Sequence, residues 1–205
     1  METIAVIGGR GAGKTWTSLG LASAFQRRTR TQFVNATGEP DGHPAIVTVG
    51  AGSGFRTVDV QTPRGLRQLL DDGGELTVLD TSASIRHREL RSAALFASDL
   101  IVAVMNVRSR RSPGLDRLVA EAPNGADVIV ALNGVTGLTD VQAGVEKVQT
   151  LGERAGRRID VLHTPIRWVS PRQRFGRVGY PPPGTTHNED SELIADEIAQ
   201  RLAGL

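Results

Sequence analysis

Short apolar runs alternate with helical patterns along almost the whole chain of 205 residues. The clearest runs are apolar nearly throughout, as in strands buried on both faces of a parallel sheet, and they lie at 3–7, 76–79, 100–104, 127–132 and 159–162. Weaker strand candidates occupy 32–35, 45–49 and 57–61. Helical patterns fit 14–27, 63–71, 87–97, 112–121, 139–154 and 190–203. This order predicts one α/β domain over residues 1–205, a doubly wound and mostly parallel sheet with helices on both faces.

The composition excludes several kinds of site. The chain has no cysteine, which excludes disulfides, thiolate zinc sites, iron–sulfur clusters and a cysteine nucleophile. Its four histidines are scattered without ligand-type spacing, so a dedicated metal cage is not expected. No run approaches the roughly 20 apolar residues of a membrane span. The first apolar run has no basic segment or cleavage site before it, and we therefore expect an unprocessed cytoplasmic protein.

Residues 8–15 match the pattern G-x-x-x-x-G-K-[ST] in full, between a strand and a helix. Glycines allow successive backbone N–H groups to face one anion at the start of a helix. Lys14, one of only two lysines in the chain, would reach the β- and γ-phosphates of a nucleotide, and the Thr15 hydroxyl would ligate Mg²⁺. A chance glycine-rich turn is the alternative. The predicted nucleotide-binding residues here are Gly8, Gly9, Arg10, Gly11, Ala12, Gly13, Lys14, Thr15 and Trp16. For Trp16, packing on the sheet is the alternative that its helical position favours.

A carboxylate follows the apolar run at 76–79. Asp80 stands where ligands collect in open α/β sheets, at the carboxyl end of a strand. With Thr15 it would complete the Mg²⁺ shell, so these two residues are the predicted metal site. A helix cap or turn role is the alternative, since Thr81 and Ser82 follow.

With these motifs in place, the chain resembles the ParA/MinD family of P-loop ATPases, most of all the small ParA-type plasmid-partition proteins. The resemblance runs over essentially the whole chain, and its segments are Leu79-Asp80-Thr81-Ser82, residues 93–102, Leu132-Asn133, Thr164-Pro165-Ile166-Arg167 and an acidic C-terminal helix. It implies an ATPase that binds ATP with Mg²⁺ and closes a face-to-face homodimer in the ATP state. It further implies non-specific DNA binding, hydrolysis stimulated by a ParB-like or other adaptor protein, and the partition or positioning of DNA or other cargo. The acidic last helix disfavours the membrane-binding MinD branch.

Two positions depart from the family's pattern. Gly9 stands where the family has its signature lysine, and Arg10, one residue later, could supply a cation across the dimer. Thr37 stands where the family has the first Asp of its DxDPQ segment, which helps to position the attacking water. A hydroxyl can hydrogen-bond a water but cannot act as an anionic base, so we expect slow or conditional hydrolysis. The predicted catalytic residues are Arg10, Lys14, Thr37 and Asp80.

The resemblance also implies that Asn133 contacts the nucleotide base, whereas its position before Gly134 fits a simple Asn-Gly turn. Arginines are densest in residues 154–177, where the single acid is Asp160. Such a cluster can neutralise DNA phosphates, although a solvated surface in an arginine-rich chain is the alternative. The predicted DNA-binding residues are Arg154, Arg157, Arg158, Arg167, Arg172, Arg174 and Arg177.

Two other functions remain open from the sequence. A non-hydrolysing nucleotide-binding scaffold is credible because of Gly9 and Thr37. A small-molecule ligase of the dethiobiotin synthetase type shares the phosphate loop and the α/β plan, but the sequence shows no second group of fixed polar residues for its substrate.

Overall fold

The computed structural model describes residues 2–38, 55–72, 75–109, 114–168 and 186–204. Within them the strands are β1 (Glu2–Gly8), β2 (Thr31–Ala36), β3 (Arg56–Asp59), β4 (Leu76–Thr81), β5 (Leu100–Asn106), β6 (Asp127–Val135), β7 (Asp160–Val161) and β8 (Ile166–Arg167). The helices are α1 (Lys14–Gln26), α2 (Pro63–Asp71), α3 (Arg88–Phe96), α4 (Leu115–Ala120), α5 (Leu138–Ala155) and α6 (Thr186–Leu202). A short 3₁₀ helix, Ile85–His87, leads into α3.

The strands form one sheet in the order β3-β2-β4-β1-β5-β6-β7, and β8 also pairs with β6. Every strand pair in the described residues is parallel. The chain winds from β1 outward to one edge, returns to β4, and then crosses β1 to continue with β5 on the other side. Ligands of open parallel sheets bind at the carboxyl ends of the strands where the order reverses, which here is the end of β1.

Alternate residues of the central strands enter two separate cores. Ile4 and Val6 pack in a core that includes buried residues of α1 and α6. Ala5 and Ile7 pack in a core on the opposite face, with buried residues of α2, α3, α4 and α5. The central strands are therefore apolar on both faces because each face is covered by helices.

The predicted doubly wound fold is confirmed. Most elements lie within a few residues of their predicted bounds; α6 begins earlier than predicted, at Thr186, and α4 begins at Leu115, after Gly114 with a φ of 83°. β8 was not predicted, because a two-residue strand after a proline carries no periodic signal. The predicted strand at 45–49 lies outside the described residues. No helix in the described ranges is long and apolar enough to cross a membrane.

Candidate nucleotide-binding site

The glycine-rich loop lies between β1 and α1, at the reversal point of the sheet. Gly11 and Gly13 have φ angles of 73° and 96°, the left-handed region that glycine adopts without steric cost. Gly13 is the N-cap of α1, and its carbonyl accepts from the N–H and the hydroxyl of Thr17 at 3.0 and 3.1 Å. The first N–H groups of a helix have no partner within the helix, so the start of α1 can donate to an anion. Lys14 folds back over the loop, with Nζ 3.5 Å from the Gly9 carbonyl oxygen.

Neighbouring strands hold the loop closely. A Cβ on Gly8 would lie 2.7 Å from the Val104 carbonyl oxygen, and one on Gly13 would lie 2.2 Å from Nδ2 of Asn133. The same Nδ2 donates to the Ala12 carbonyl at 2.6 Å, so the buried Asn133 of β6 ties the loop to the sheet. Its expected contact with a nucleotide base stays a prediction.

Asp80, at the end of β4, is completely buried behind the loop. Its Oδ2 accepts from the Thr15 hydroxyl at 2.7 Å. The Ser18 hydroxyl lies 3.3 Å from its Oδ1 and shares its proton with a shorter acceptor, the Lys14 carbonyl at 2.9 Å. Because the Thr15 hydroxyl donates its hydrogen bond to Asp80, the lone pairs of its oxygen are available to a cation. Among the described residues there is no group of three or more His, Cys, Asp or Glu side chains that could hold a metal ion. A hydroxyl beside a carboxylate suits Mg²⁺, which takes few protein ligands and shares its shell with phosphates and water.

A cleft of about 470 Å³ opens over the loop. Its lining includes Arg10, Lys14, Trp16 and Thr37, and its other wall is formed by Thr81, the last residue of β4, and by residues 82–84 after it. Arg10 is exposed, whereas Trp16 is partly buried and packs against the core beneath α1. Trp16 therefore borders the cleft and also packs against the core. The structure is compatible with both roles considered from the sequence, a contact with the nucleotide and packing on the sheet.

Thr37 is held by a chain of polar side chains that begins on β3. Asp59 accepts from Nδ2 of Asn35 at 2.7 Å, and Oδ1 of Asn35 accepts from the hydroxyl and the N–H of Thr37 at 2.7 and 3.3 Å. Asn35 itself is buried. The Thr37 hydroxyl at the edge of the cleft therefore has a fixed orientation. The sequence predicted that this position helps to place the attacking water.

A buried arginine supports the opposite wall of the cleft. Nη1 of Arg91, on α3, donates to the Ser82 and Ser84 carbonyls at 2.9 Å each. Its Nε donates to Oε2 of Glu121 at 2.8 Å, and its Nη2 lies 2.7 Å from the same oxygen as an ion pair outside hydrogen-bond geometry. Arg91 is fully buried, so the segment 82–84 is fixed from behind by a charged group.

Two of the predicted DNA-binding arginines make extensive contacts within the fold. The guanidinium of Arg157 donates to four backbone carbonyls of residues 119–126, at 2.6 to 3.4 Å. Arg167 pairs with Asp190 at 2.7 Å and with Glu189 at 3.1 Å, on α6. Both guanidinium groups stabilise the packing of chain segments, and their DNA contacts stay a prediction.

Two others are more open to solvent. The Arg158 side chain is 89% exposed, beside Asp160 at 3.1 Å, and the Arg154 side chain is 68% exposed, 3.4 Å from Asp116. The remaining predicted DNA-binding residues, Arg172, Arg174 and Arg177, lie outside the described residues.

Three side chains at this site were not found from the sequence. Ser18 stands one turn after Thr15 on the same helix face, so helical spacing could have indicated its contact with Asp80. Asn35 and Arg91 were not found because their carboxylate partners, Asp59 and Glu121, are 24 and 30 residues away in the sequence.

Comparison with solved structures finds several proteins that share this fold over nearly the whole chain. A protein from Borrelia burgdorferi, described as a plasmid partition protein bound to AMPPNP, superposes with a TM-score of 0.68 at 12% identity, over 98% of this chain and 99% of that chain. The MinC:MinD cell division protein complex of Aquifex aeolicus contains a chain that superposes with a TM-score of 0.64 at 14% identity, over 100% of this chain and 96% of that chain. Cobyrinic acid a,c-diamide synthase of Mycobacterium smegmatis, solved with an ATP analogue and magnesium, superposes with a TM-score of 0.69 at 12% identity, over 99% of this chain and 96% of that chain.

No protein-family model matches the chain, and no curated protein matches its sequence. At these identities the superpositions establish the fold, and the resemblance expected from the sequence is confirmed at that level.

Proposed function

We propose that this chain is a ParA-like ATPase whose nucleotide state governs dimerisation and DNA binding. The observation that carries the proposal is the contact of Thr15 with the buried Asp80 directly behind a complete phosphate loop, at the reversal point of the sheet. Structural neighbours include a plasmid partition protein bound to AMPPNP and MinD in a complex with MinC, and these support a switch with protein partners.

The residues of the loop suit binding of a triphosphate. The N–H groups at the start of α1 would donate to phosphate oxygens, and Lys14 would place a positive charge against the terminal phosphates. Thr15 donates to Asp80 and so presents its lone pairs to a metal ion. Mg²⁺, when bound there, would neutralise charge that develops on the phosphate oxygens. Arg10 is exposed at the mouth of the cleft, where it could reach the nucleotide of a second copy in a face-to-face dimer.

The DNA-binding part of the proposal depends most on the exposed Arg154 and Arg158 and on the arginines of 172–177. Phosphate contacts of this kind release counterions, so retention on DNA should require Mg·ATP and fall steeply between 50 and 200 mM salt.

A ligase is the second candidate, because a solved structure with this fold is described as a diamide synthase. The described cleft lining offers mainly glycines and hydroxyl side chains besides Lys14 and Arg10, which favours the ATPase. A ligase would release phosphate only when its substrate is present, whereas the ATPase would turn over ATP slowly without one. A nucleotide-binding scaffold would bind Mg·ATP and release no phosphate.

The chain's two lysines provide a matched experiment. Lys14→Met removes the charge from the loop, whereas Lys147→Met removes one that contacts the carbonyls of Val107 and Ser109. A hydrogen bond to a charged group contributes about 1.5–3 kcal/mol, so Lys14→Met should weaken Mg·ATP binding by about 10- to 150-fold. Lys147→Met should leave the affinity unchanged.

Binding can be followed by the fluorescence of Trp16, turnover by phosphate release, and DNA retention at two salt concentrations. Equal Mg·ATP affinity in both variants, or DNA retention that is independent of nucleotide, would contradict the proposal.

A further inference from the structure

A fully buried arginine lies directly behind the wall of the nucleotide cleft. The Arg91 side chain is 0% exposed, and a buried guanidinium is costly unless good acceptors surround it. An apolar side chain of similar size would fill the same space at lower cost, so this charge indicates a task besides packing. The nitrogens of the guanidinium divide between two partners. Nη1 faces the carbonyls of Ser82 and Ser84, whereas Nε and Nη2 face Oε2 of Glu121, just after α4.

The two contacts of Nη1 set the direction of the backbone in the cleft wall. Each carbonyl accepts at 2.9 Å from the buried guanidinium, so both carbonyls point into the fold. In a trans peptide, the form of both of these, the N–H points opposite to the carbonyl. The N–H of Ala83, which belongs to the same peptide as the Ser82 carbonyl, therefore points away from Arg91. Ala83 lines the cleft, so its N–H is turned toward that space.

The Ala83 N–H is available as a hydrogen-bond donor. Within the described ranges it donates to no protein acceptor, whereas the neighbouring N–H of Ser84 donates to the Ser82 hydroxyl at 3.0 Å. The positive charge behind the Ser82 carbonyl polarises the same peptide group, which strengthens its N–H as a donor. Ala83 follows three residues after Asp80, whose contact with Thr15 marks the metal side of the cleft. A metal ion held there shares its shell with the terminal phosphates, so we expect these phosphates on the side of the cleft that Ala83 lines.

We propose that Arg91 is a positioning residue for nucleotide recognition. By holding the Ser82 and Ser84 carbonyls inward, it keeps the Ala83 N–H turned to the cleft as a donor to the terminal phosphate of ATP. ADP lacks that phosphate, so this contact favours the triphosphate over the diphosphate. The inference rests on the nucleotide site of the proposed function and concerns how that site distinguishes ATP from ADP.

The first test compares the affinities for AMPPNP, a non-hydrolysable ATP analogue, and for ADP, each with Mg²⁺, by tryptophan fluorescence. Arg91→Met removes the donor behind the wall and should weaken AMPPNP binding by about 10-fold or more, because a hydrogen bond to a charged group is lost. Its affinity for ADP should stay within about 2-fold of that of the unmutated chain. Arg88→Met is the matched control, since Arg88 is two-thirds exposed and contacts the same Glu121; its ratio of the two affinities should be unchanged.

Glu121→Gln separates positioning from stability. This substitution removes the charge that faces Nε and Nη2 of Arg91, so it lowers the free energy of unfolding. It leaves the contacts of Nη1 with the Ser82 and Ser84 carbonyls in place, and the ratio of AMPPNP to ADP affinity should therefore stay within about 2-fold of that of the unmutated chain. If the ratio falls in Glu121→Gln as it does in Arg91→Met, the loss follows stability and the positioning role is overturned.

The backbone amide of Ala83 gives a second readout, which needs no substitution. In ¹H–¹⁵N NMR spectra of the unmutated chain, its proton resonance should move further downfield with Mg·AMPPNP than with Mg·ADP, because only the triphosphate offers the acceptor. Equal shifts with the two nucleotides would overturn the inference even if Arg91→Met did not fold.

The outcomes separate this inference from the proposed function. If the unmutated chain binds neither nucleotide, both are overturned. If it binds both nucleotides and Arg91→Met weakens them equally, the positioning role alone is overturned. If the chain shows the expected preference for AMPPNP but never releases phosphate from ATP, the ATPase function is overturned and the positioning role is supported.

Discussion

The buried pair of Arg91 and Glu121 allows a quantitative test of how the cleft wall is held. We consider Arg91→Met, which keeps the length of the side chain and removes its charge. The Arg91 side chain is 0% exposed and that of Glu121 is 12% exposed, so little water can replace the lost contacts. Breaking a buried ion pair costs about 3–5 kcal/mol, because one charge remains without its partner. This is a large part of a total folding stability of about 5–15 kcal/mol.

The surroundings of Glu121 modify this estimate. Arg117 and Arg88 lie 3.7 and 4.0 Å from its other oxygen, and they would partly compensate its charge after Arg91→Met. Glu121→Gln instead leaves the guanidinium of Arg91 buried, with the carbonyls of Ser82 and Ser84 as its strong acceptors. We therefore expect Glu121→Gln to cost at least as much as Arg91→Met. The double variant should cost less than the sum of the two, with a coupling of about 2 kcal/mol or more.

The assay is urea unfolding followed by tryptophan fluorescence. With a slope of about 1–3 kcal/mol per molar urea, a cost of about 3–5 kcal/mol should lower the midpoint of Arg91→Met by about 1–5 M. Arg88→Met is the matched control, because Arg88 is two-thirds exposed and its pair with Glu121 is long; it should change stability by less than about 1 kcal/mol. Single-variant costs as small as that of the control, or strictly additive costs in the double variant, would refute the reasoning.

Two further predictions concern the loop and the sheet edge. Gly13→Ala should lower the free energy of unfolding more than Gly11→Ala does. Both substitutions place alanine in the left-handed region, at a cost of about 1–2 kcal/mol. Only a Cβ at Gly13 would also clash with Asn133, at 2.2 Å. Equal unfolding free energies in urea would contradict this. The hydrogen bond from Arg201 lowers the pKa of Asp160 below its ordinary value, so the unfolded chain binds more protons in the window between the two pKa values. Stability should therefore fall as the pH drops below about 4, and Arg201→Gln should show a smaller fall between pH 5 and 3 in the same assay; an unchanged fall would contradict it.

The sequence predicted those parts of the molecule whose physics is local. The strand runs, α1 and the phosphate loop follow from periodicity and from the glycines that the loop backbone requires. The position of Asp80 follows as well, because the carboxyl ends of parallel strands meet at one edge of the sheet. Each of these features is determined by residues that are close together in the sequence.

Only the tertiary structure decided what the polar side chains of this edge are bound to. Arg157, predicted as a DNA contact, donates to carbonyls more than 30 residues away in sequence, and Arg167 is held by α6. Asn35 carries no motif, yet the pairing of β2 with β3 brings Asp59 beside it and thereby sets the direction of the Thr37 hydroxyl. The physical reason is that hydrogen-bond direction depends on the partner that packing supplies, and packing depends on strand order, which composition and spacing leave open.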